Sequence, residues 1–142
     1  MNYKVGDFTV SDEKELLTAE GAEYLLRQTY WAQNRPLEAI RKSIEHSLCI
    51  GIYNADKALV AFARCVTDYA TIYYLCDVIV DEPYRGRGLG KALVEAVVNH
   101  EELKALSSLL ITRDAEGLYE KYGYELSNSK LMRRAPQNTA QA

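Results

Sequence analysis

YRGRGLGKAL, residues 84–93, sets three glycines at alternate positions around Arg87 and Leu89 and then passes straight into an apolar helical pattern. The first turn of any helix leaves its N–H groups without intrahelical partners. The positive end of the helix dipole reinforces them, so an anion is the expected ligand. Arg85, Arg87 and Lys91 add positive charge around the same spot. A glycine there lets a phosphate reach backbone that a Cβ would hold away. A pyrophosphate is the natural guest.

Two common phosphate patterns do not fit. The P-loop asks for G-x-x-x-x-G-K-[ST], but Arg85 stands five residues before Gly90, and Ala92 follows Lys91. The dinucleotide fingerprint asks for G-x-G-x-x-G in the first turn of a parallel sheet. Gly86, Gly88 and Gly90 give G-x-G-x-G, and this turn follows a run of antiparallel strands.

Outward from the glycines, helical spacing of Ala22, Leu25, Leu26, Thr29 and Tyr30 predicts a helix from Thr18 to Trp31. Pro36 suits the first turn of a second helix carrying Leu37, Ile40 and Ile44. LCIGIYN, KALVAFARCVT and TIYYLCDVIV read as an antiparallel meander, with turns at Asn54-Ala55-Asp56 and Asp68-Tyr69-Ala70. Leu89, Ala92, Leu93, Ala96 and Val97 mark a third helix, and SSLLIT a short strand. A last helix carries Ala115, Leu118, Tyr119 and Tyr122 and stops at a left-handed Gly123. YELS and KLMRR are terminal strands. The order β-α-α-β-β-β-α-β-α-β-β predicts a mixed α/β (α+β) domain on a mostly antiparallel sheet.

At 142 residues the chain fits one domain, assigned here to residues 1–134, with the pattern-free tail 135–142 left disordered. The net charge of −3 gives no basic surplus for nucleic acid. The opening MNYKVGDFTVSDEKE has no apolar run, so no signal peptide is expected. No stretch approaches the roughly 20 apolar residues of a membrane span. Cys49, Cys65 and Cys76 each sit in an apolar run and read as reduced thiols of a cytoplasmic protein. With His46 and His100 far from them in sequence, no metal site is expected.

A third pattern does fit the glycines. Arg85-Gly86-Arg87-Gly88-Leu89-Gly90 reads [Q/R]-x-x-G-x-[G/A] after Val78-Ile79-Val80-Asp81-Glu82-Pro83-Tyr84. It resembles the acetyl-CoA motif of the GNAT superfamily of N-acetyltransferases. A second block, AEGLYEKYGY at residues 115–124, resembles that family's A-x-x-L-Y-x-x-x-G-[F/Y] helix. The likeness covers nearly the whole chain, and it implies a sheet of about six to seven strands flanked by about four helices.

The resemblance implies that the pyrophosphate of acetyl-CoA sits on backbone N–H groups of Arg87, Gly88, Leu89, Gly90 and Lys91, with Arg85 and Gly86 shaping the turn. The pantetheine arm would pair like an extra strand with Val78, Ile79 and Val80. The implied reaction is aminolysis of a thioester within a ternary complex, the acceptor being a primary amine of a small molecule or peptide. Tyr119 falls where many members hold the tyrosine that protonates the leaving thiol, and it also lies on an apolar helix face as a core aromatic would. The fold is often dimeric, which allows a homodimer. A non-catalytic acyl-CoA sensor or interaction module would share the same glycine turn.

Asp77 stands out on physical grounds, as the only charge in TIYYLCDVIV. A carboxylate buried there needs a cation, donors or water. Burial raises its pKa toward that of a useful base, while a tie to an arginine such as Arg64 makes it structural. The family often has glutamate one residue earlier, where this chain has Cys76, and asparagine where it has Thr112. Cys76 has no adjacent histidine and reads as a structural thiol, and Asp114 as a helix N-cap. In this fold the loop between the first two helices helps wall the acceptor site. Here it offers Tyr30, Trp31 and Arg35. Trp31 serves either recognition or packing. Asp68 either meets a cationic amine or closes its own turn.

Overall fold

A Gly6-Asp7 turn folds the first eleven residues into a hairpin of β1 (Asn2–Val5) and β2 (Phe8–Ser11), where the sequence pattern predicts a single strand. The structure, a computed structural model, describes residues 1–137. A 3-10 turn at Lys14–Leu16 leads into α1 (Ala19–Leu26), whose cap is the Thr18 hydroxyl accepting from the Gly21 N–H at 3.0 Å. This helix stops five residues short of the expected end at Trp31. The Thr29 hydroxyl donates to the Leu26 carbonyl at 2.7 Å and accepts from the Ala32 N–H at 3.0 Å, which winds the chain out of the helix. Residues 30–35 therefore form a compact loop. Pro36 then opens α2 (Leu37–Glu45).

The meander forms as the three runs predict: β3 (Leu48–Tyr53), β4 (Leu59–Thr67) and β5 (Ile72–Val80), each antiparallel to the last. From β5 the chain crosses over through α3 (Leu89–Val98) to β6 (Ser107–Leu110), which is parallel to β5 as such crossovers require. Among the described residues the sheet has six strands in chain order, and α4 (Glu116–Glu120) lies beyond it, ending before Gly123 at φ +90°.

Both faces of the sheet are covered. Leu89, Leu93, Val94 and Val97 of α3 pack with Ile50, Ile52, Ala61, Ala63, Cys65, Tyr73 and Leu75. Leu25, Leu26, Ile40 and Ile44 of α1 and α2 pack with Cys49, Phe62 and Ile79 on the other face. Strand β5 changes sides partway along. Tyr73 and Leu75 face α3, but beyond them Val78 and Val80 do so, and Ile79 points to α1 and α2. A β-bulge causes this: Phe62 pairs with Ile79 and Arg64 with Cys76, so Ala63 alone opposes Asp77 and Val78. Asp77 takes the left-handed conformation there, φ +53°.

The expected strands YELS and KLMRR are absent, since no strand follows β6 among the described residues. Their few apolar side chains find no cover: Leu126, Leu131 and Met132 are exposed. Tyr124 instead bonds through its hydroxyl to Ser108 at 2.6 Å and Tyr73 at 3.3 Å. Most of the expected tail, residues 138–142, lies outside the described residues.

Candidate active site

The glycine turn joins the end of β5 to α3. Gly86 and Gly88 adopt φ +79° and +80°, which a residue with a Cβ takes only at a cost of about 1–2 kcal/mol. No atom lies within 4 Å of where a Cβ at either would stand, so the turn faces open space. Gly88 caps α3, and the Ala92 N–H reaches the Gly88 carbonyl at 3.0 Å. Leu89, Gly90 and Lys91 therefore hold the unpaired N–H groups of the first helical turn. Arg85 has another task. Its Nε donates to the Val80 carbonyl at 3.0 Å and its Nη2 to Gln28 Oε1 at 3.3 Å. Arg87 lies over the Tyr84 ring at 5.3 Å.

Gln28 was invisible in the sequence pattern. It donates to Asp81 at 2.8 Å and accepts from the Glu82 N–H at 3.2 Å as well as from Arg85, so the end of α1 fixes the approach to the turn. Only a fold that brings α1 against the end of β5 reveals it.

Strands β5 and β6 pair only from Ile72 to Leu75, opposite Ser107 to Leu110. Beyond that point Cys76 to Val80 have no β6 partner, which leaves a gap in the pairing along that edge of β5. It runs from the bulge at Asp77 to the glycine turn, roughly 10 Å of strand. Val78 and Val80 flank it as half-buried packing, and Ile79 faces the opposite layer. Tyr119 on α4 packs in the same cluster and is 9% exposed. Its ring meets Tyr124 edge-on at 5.9 Å. Burial alone raises its pKa, and its hydroxyl bonds to no described residue. This phenol keeps its proton.

Asp77 is buried and fully engaged. Its Oδ2 accepts from Arg35 Nη1 at 2.7 Å and Arg64 Nε at 2.8 Å, and its Oδ1 from Trp31 Nε1 at 2.9 Å. Burial pushes its pKa up, but hydrogen bonds and charge from Arg35 and Arg64 overcome this and hold it below the ordinary carboxylate value. Of the two readings of Asp77, proton acceptor or carboxylate tied to an arginine, the geometry shows the tie, and to two arginines. Arg64 also donates to the Ser47 hydroxyl at 3.2 Å. The loop residues Trp31 and Arg35 are thereby bound to the bulge. Tyr30 stays exposed, edge-on to Trp31 at 5.0 Å, with the Arg113 guanidinium 3.8 Å from its ring centre.

Asp68 and Asp114 meet their alternatives, and Cys76 matches its reading as a structural thiol. Asp68 closes its own turn, accepting from the N–H groups of Ala70 and Thr71 at 2.9 and 2.8 Å and from the Thr71 hydroxyl at 2.6 Å. It lies at the other end of β5 from the bulge and the glycine turn. Thr112, rather than Asp114, caps the approach to α4, accepting from the Ala115 N–H at 3.0 Å. Burial pushes the Cys76 thiol up to about 11 against the lowering pull of Arg64, so it is a poor nucleophile.

An acetyltransferase (GNAT) domain matches residues 45–126, more than half of the chain and the span holding the bulge, the glycine turn and α4. The chain belongs to the GNAT acetyltransferase family. A solved protein assigned to the GNAT family from Xanthomonas campestris pv. campestris is 40% identical, with 96% of this chain and 99% of that one covered at a TM-score of 0.86. An uncharacterized ycf52-like N-acetyltransferase of Prochlorococcus marinus is 29% identical over 73% of this chain. GCN5-related N-acetyltransferase 2, chloroplastic, of Arabidopsis thaliana is 35% identical over 49% of it. The chain spans 61% and 28% of the length of those two relatives. An aminoglycoside N-acetyltransferase solved with CoA shares this GNAT fold at a TM-score of 0.66 and 19% identity, covering 90% of this chain and 93% of its own.

Proposed function

We propose that this GNAT protein transfers the acetyl group of acetyl-CoA to a primary amine of a small molecule or peptide, by direct attack within a ternary complex. The observation that carries the reading is the continuity of the gap. Unpaired N–H groups of Leu89, Gly90 and Lys91 open one end, unpaired strand follows, and Tyr119 of α4 belongs to the cluster that Val78 and Val80 pack against. The turn suits a diphosphate because its positive-φ glycines face open space. Bound there, acetyl-CoA supplies an acyl group already activated as a thioester.

The residues divide the remaining work. The main chain of Val78 to Val80 orients the pantetheine arm as an added strand would. Tyr119 gives its proton to the departing sulfur, within a dry pocket that keeps it protonated. Asp77 takes no proton; the amine arrives neutral from solution, and the proton its nitrogen sheds on forming the amide passes to solvent or restores the Tyr119 phenol. The rate then climbs with pH toward the acceptor's own pKa. We place the protein in the cytosol, where Cys49, Cys65 and Cys76 stay free thiols.

Thiol release from acetyl-CoA across a panel of primary amines tests the reading. Tyr119→Phe lowers kcat about 100-fold, with CoA affinity and melting temperature unchanged. Equal rates in the variant remove Tyr119 from the chemistry. One observation favours a second reading, a non-catalytic acyl-CoA-binding module: Asp77, the one carboxylate at the bulge, is already neutralised. Tight CoA binding without thiol release on any amine would support that module.

A further inference from the structure

Three elements converge on Asp77, and their charges do not cancel. Arg35 from the α1–α2 loop and Arg64 from β4 both bond to the same oxygen of a single carboxylate. Their side chains are 16% and 14% exposed, so one positive charge is left over in a partly dry setting. Such a surplus is unfavourable until an anion meets it. Much of the donor capacity is also unused. A guanidinium has five N–H donors. Arg64 commits Nε to Asp77 and Nη1 to Ser47, and Arg35 commits only Nη1.

The surplus lies on an open part of the sheet. Tyr74 and Cys76 point to the same face of β5 as this group, and Tyr74 is 41% exposed. The charged side chains acting on the Tyr74 hydroxyl include Asp77, Arg64 and Arg35. At the rim, Arg113 lies on Tyr30 and has no salt-bridge partner among the described residues. The bulge that holds Asp77 is also the inner end of the gap leading from the glycine turn.

Resting on the acetyltransferase reading, we infer that the acceptor amine carries an anionic group, a carboxylate or a phosphate, which docks on Arg35 and Arg64. The planar fork of arginine suits both groups, each of which can accept two parallel N–H bonds. The aromatic edge of Tyr30, Trp31 and Tyr74 surrounds that fork and holds the body of the acceptor. A cationic partner, such as a lysine-rich peptide, meets repulsion at the same place.

Matched amines test this. Thiol release from acetyl-CoA is measured with β-alanine against β-alaninamide and with phosphoethanolamine against ethanolamine. The expected result is kcat/KM at least tenfold higher for the anionic member of one pair or both, through KM, and the better pair tells carboxylate from phosphate. In Arg35→Gln the preference falls to parity, and Arg35→Lys restores part of it. Neutral amines that match or exceed their anionic partners in the wild-type protein overturn the proposal, a result that needs no variant to fold.

If no amine releases thiol, the acetyltransferase reading fails while the anion site remains testable. Trp31 is the only tryptophan, and its indole donates to Asp77, so its fluorescence reports on the site directly. Titration with inorganic phosphate and with acetate, CoA being present to fill the glycine turn, should give a saturable change that Arg35→Gln loses. A flat wild-type titration with both anions overturns the inference independently of turnover.

Discussion

Where β5 runs into α3, the groups left open are main-chain N–H groups, and the side chains nearby serve mostly to shape them. Three residues before the end of the strand, at Asp77, the arrangement is the reverse. There the backbone is distorted into a bulge, and side chains from the α1–α2 loop, β4 and β5 lock together around one carboxylate. The first region is open and unsatisfied, and the second is closed around its carboxylate while its two arginines keep donors and charge to spare. An open cradle of backbone accepts any ligand with the right diphosphate. A knot of side chains is, in the proposal above, what selects the acceptor, and it holds the α1–α2 loop to the bulge.

The largest expected effect strikes the open end. Gly88→Glu places a side chain at φ +80° and a negative charge in the anion cradle. CoA affinity by calorimetry should fall at least 100-fold, about 2.7 kcal/mol. Gly88→Asn, which tolerates left-handed backbone, should fold normally and bind CoA more weakly than wild type. Unchanged affinity in the glutamate variant would mean that the two ends of β5 do not differ as described.

Next comes the closed end. Asp77→Asn leaves Arg35 and Arg64 without their anion and should cost about 3–5 kcal/mol of stability, a fall in Tm on the order of 10 °C. Were Asp77 a proton acceptor instead, the variant would lose rate and keep its melting temperature. The pH dependence sharpens the same contrast. Because its folded pKa lies below its ordinary value, Asp77 contributes stability that is present above about pH 4 and lost as pH falls through the folded pKa. The gap in Tm between wild type and Asp77→Asn should hold steady from neutrality to about pH 5 and narrow below about pH 4.

How far each region could be read from the sequence follows from how it is built. The cradle is local: Gly86, Gly88 and Gly90 beside Arg85 and Lys91 declare a turn and a helix mouth within ten residues. The meander is equally local, since each strand is bounded by its own turn chemistry. The bulge was half legible, because TIYYLCDVIV reads as apolar on both faces, which is what a strand that changes sides midway must do. The partners of Asp77 were legible only in part. Arg64 sits thirteen residues away on the neighbouring strand, where an antiparallel register brings it close. Trp31 and Arg35 are more than forty residues distant, and Thr29 had to end α1 early to deliver them. Gln28 and Arg113 gave no pattern at all. The terminal strands failed for the opposite reason, as local apolar character in KLMRR found no surface to cover.

The smallest effect belongs to a residue outside both regions. Asp68→Ala removes the acceptor that closes the β4–β5 turn. It should lower the melting temperature modestly and leave acceptor KM and CoA affinity as they were. A raised KM alone would bring Asp68 back as a contact for the amine.

The central claim is that backbone amides at the mouth of α3 grip the diphosphate of a CoA thioester. Amide resonances of the isotopically labelled protein, followed while CoA is added, test it directly. Leu89, Gly90 and Lys91 should shift in a saturable way, with much smaller changes on β1, at the far edge of the sheet. If those three amides stay fixed while CoA binds, the cradle lies elsewhere and the account is wrong.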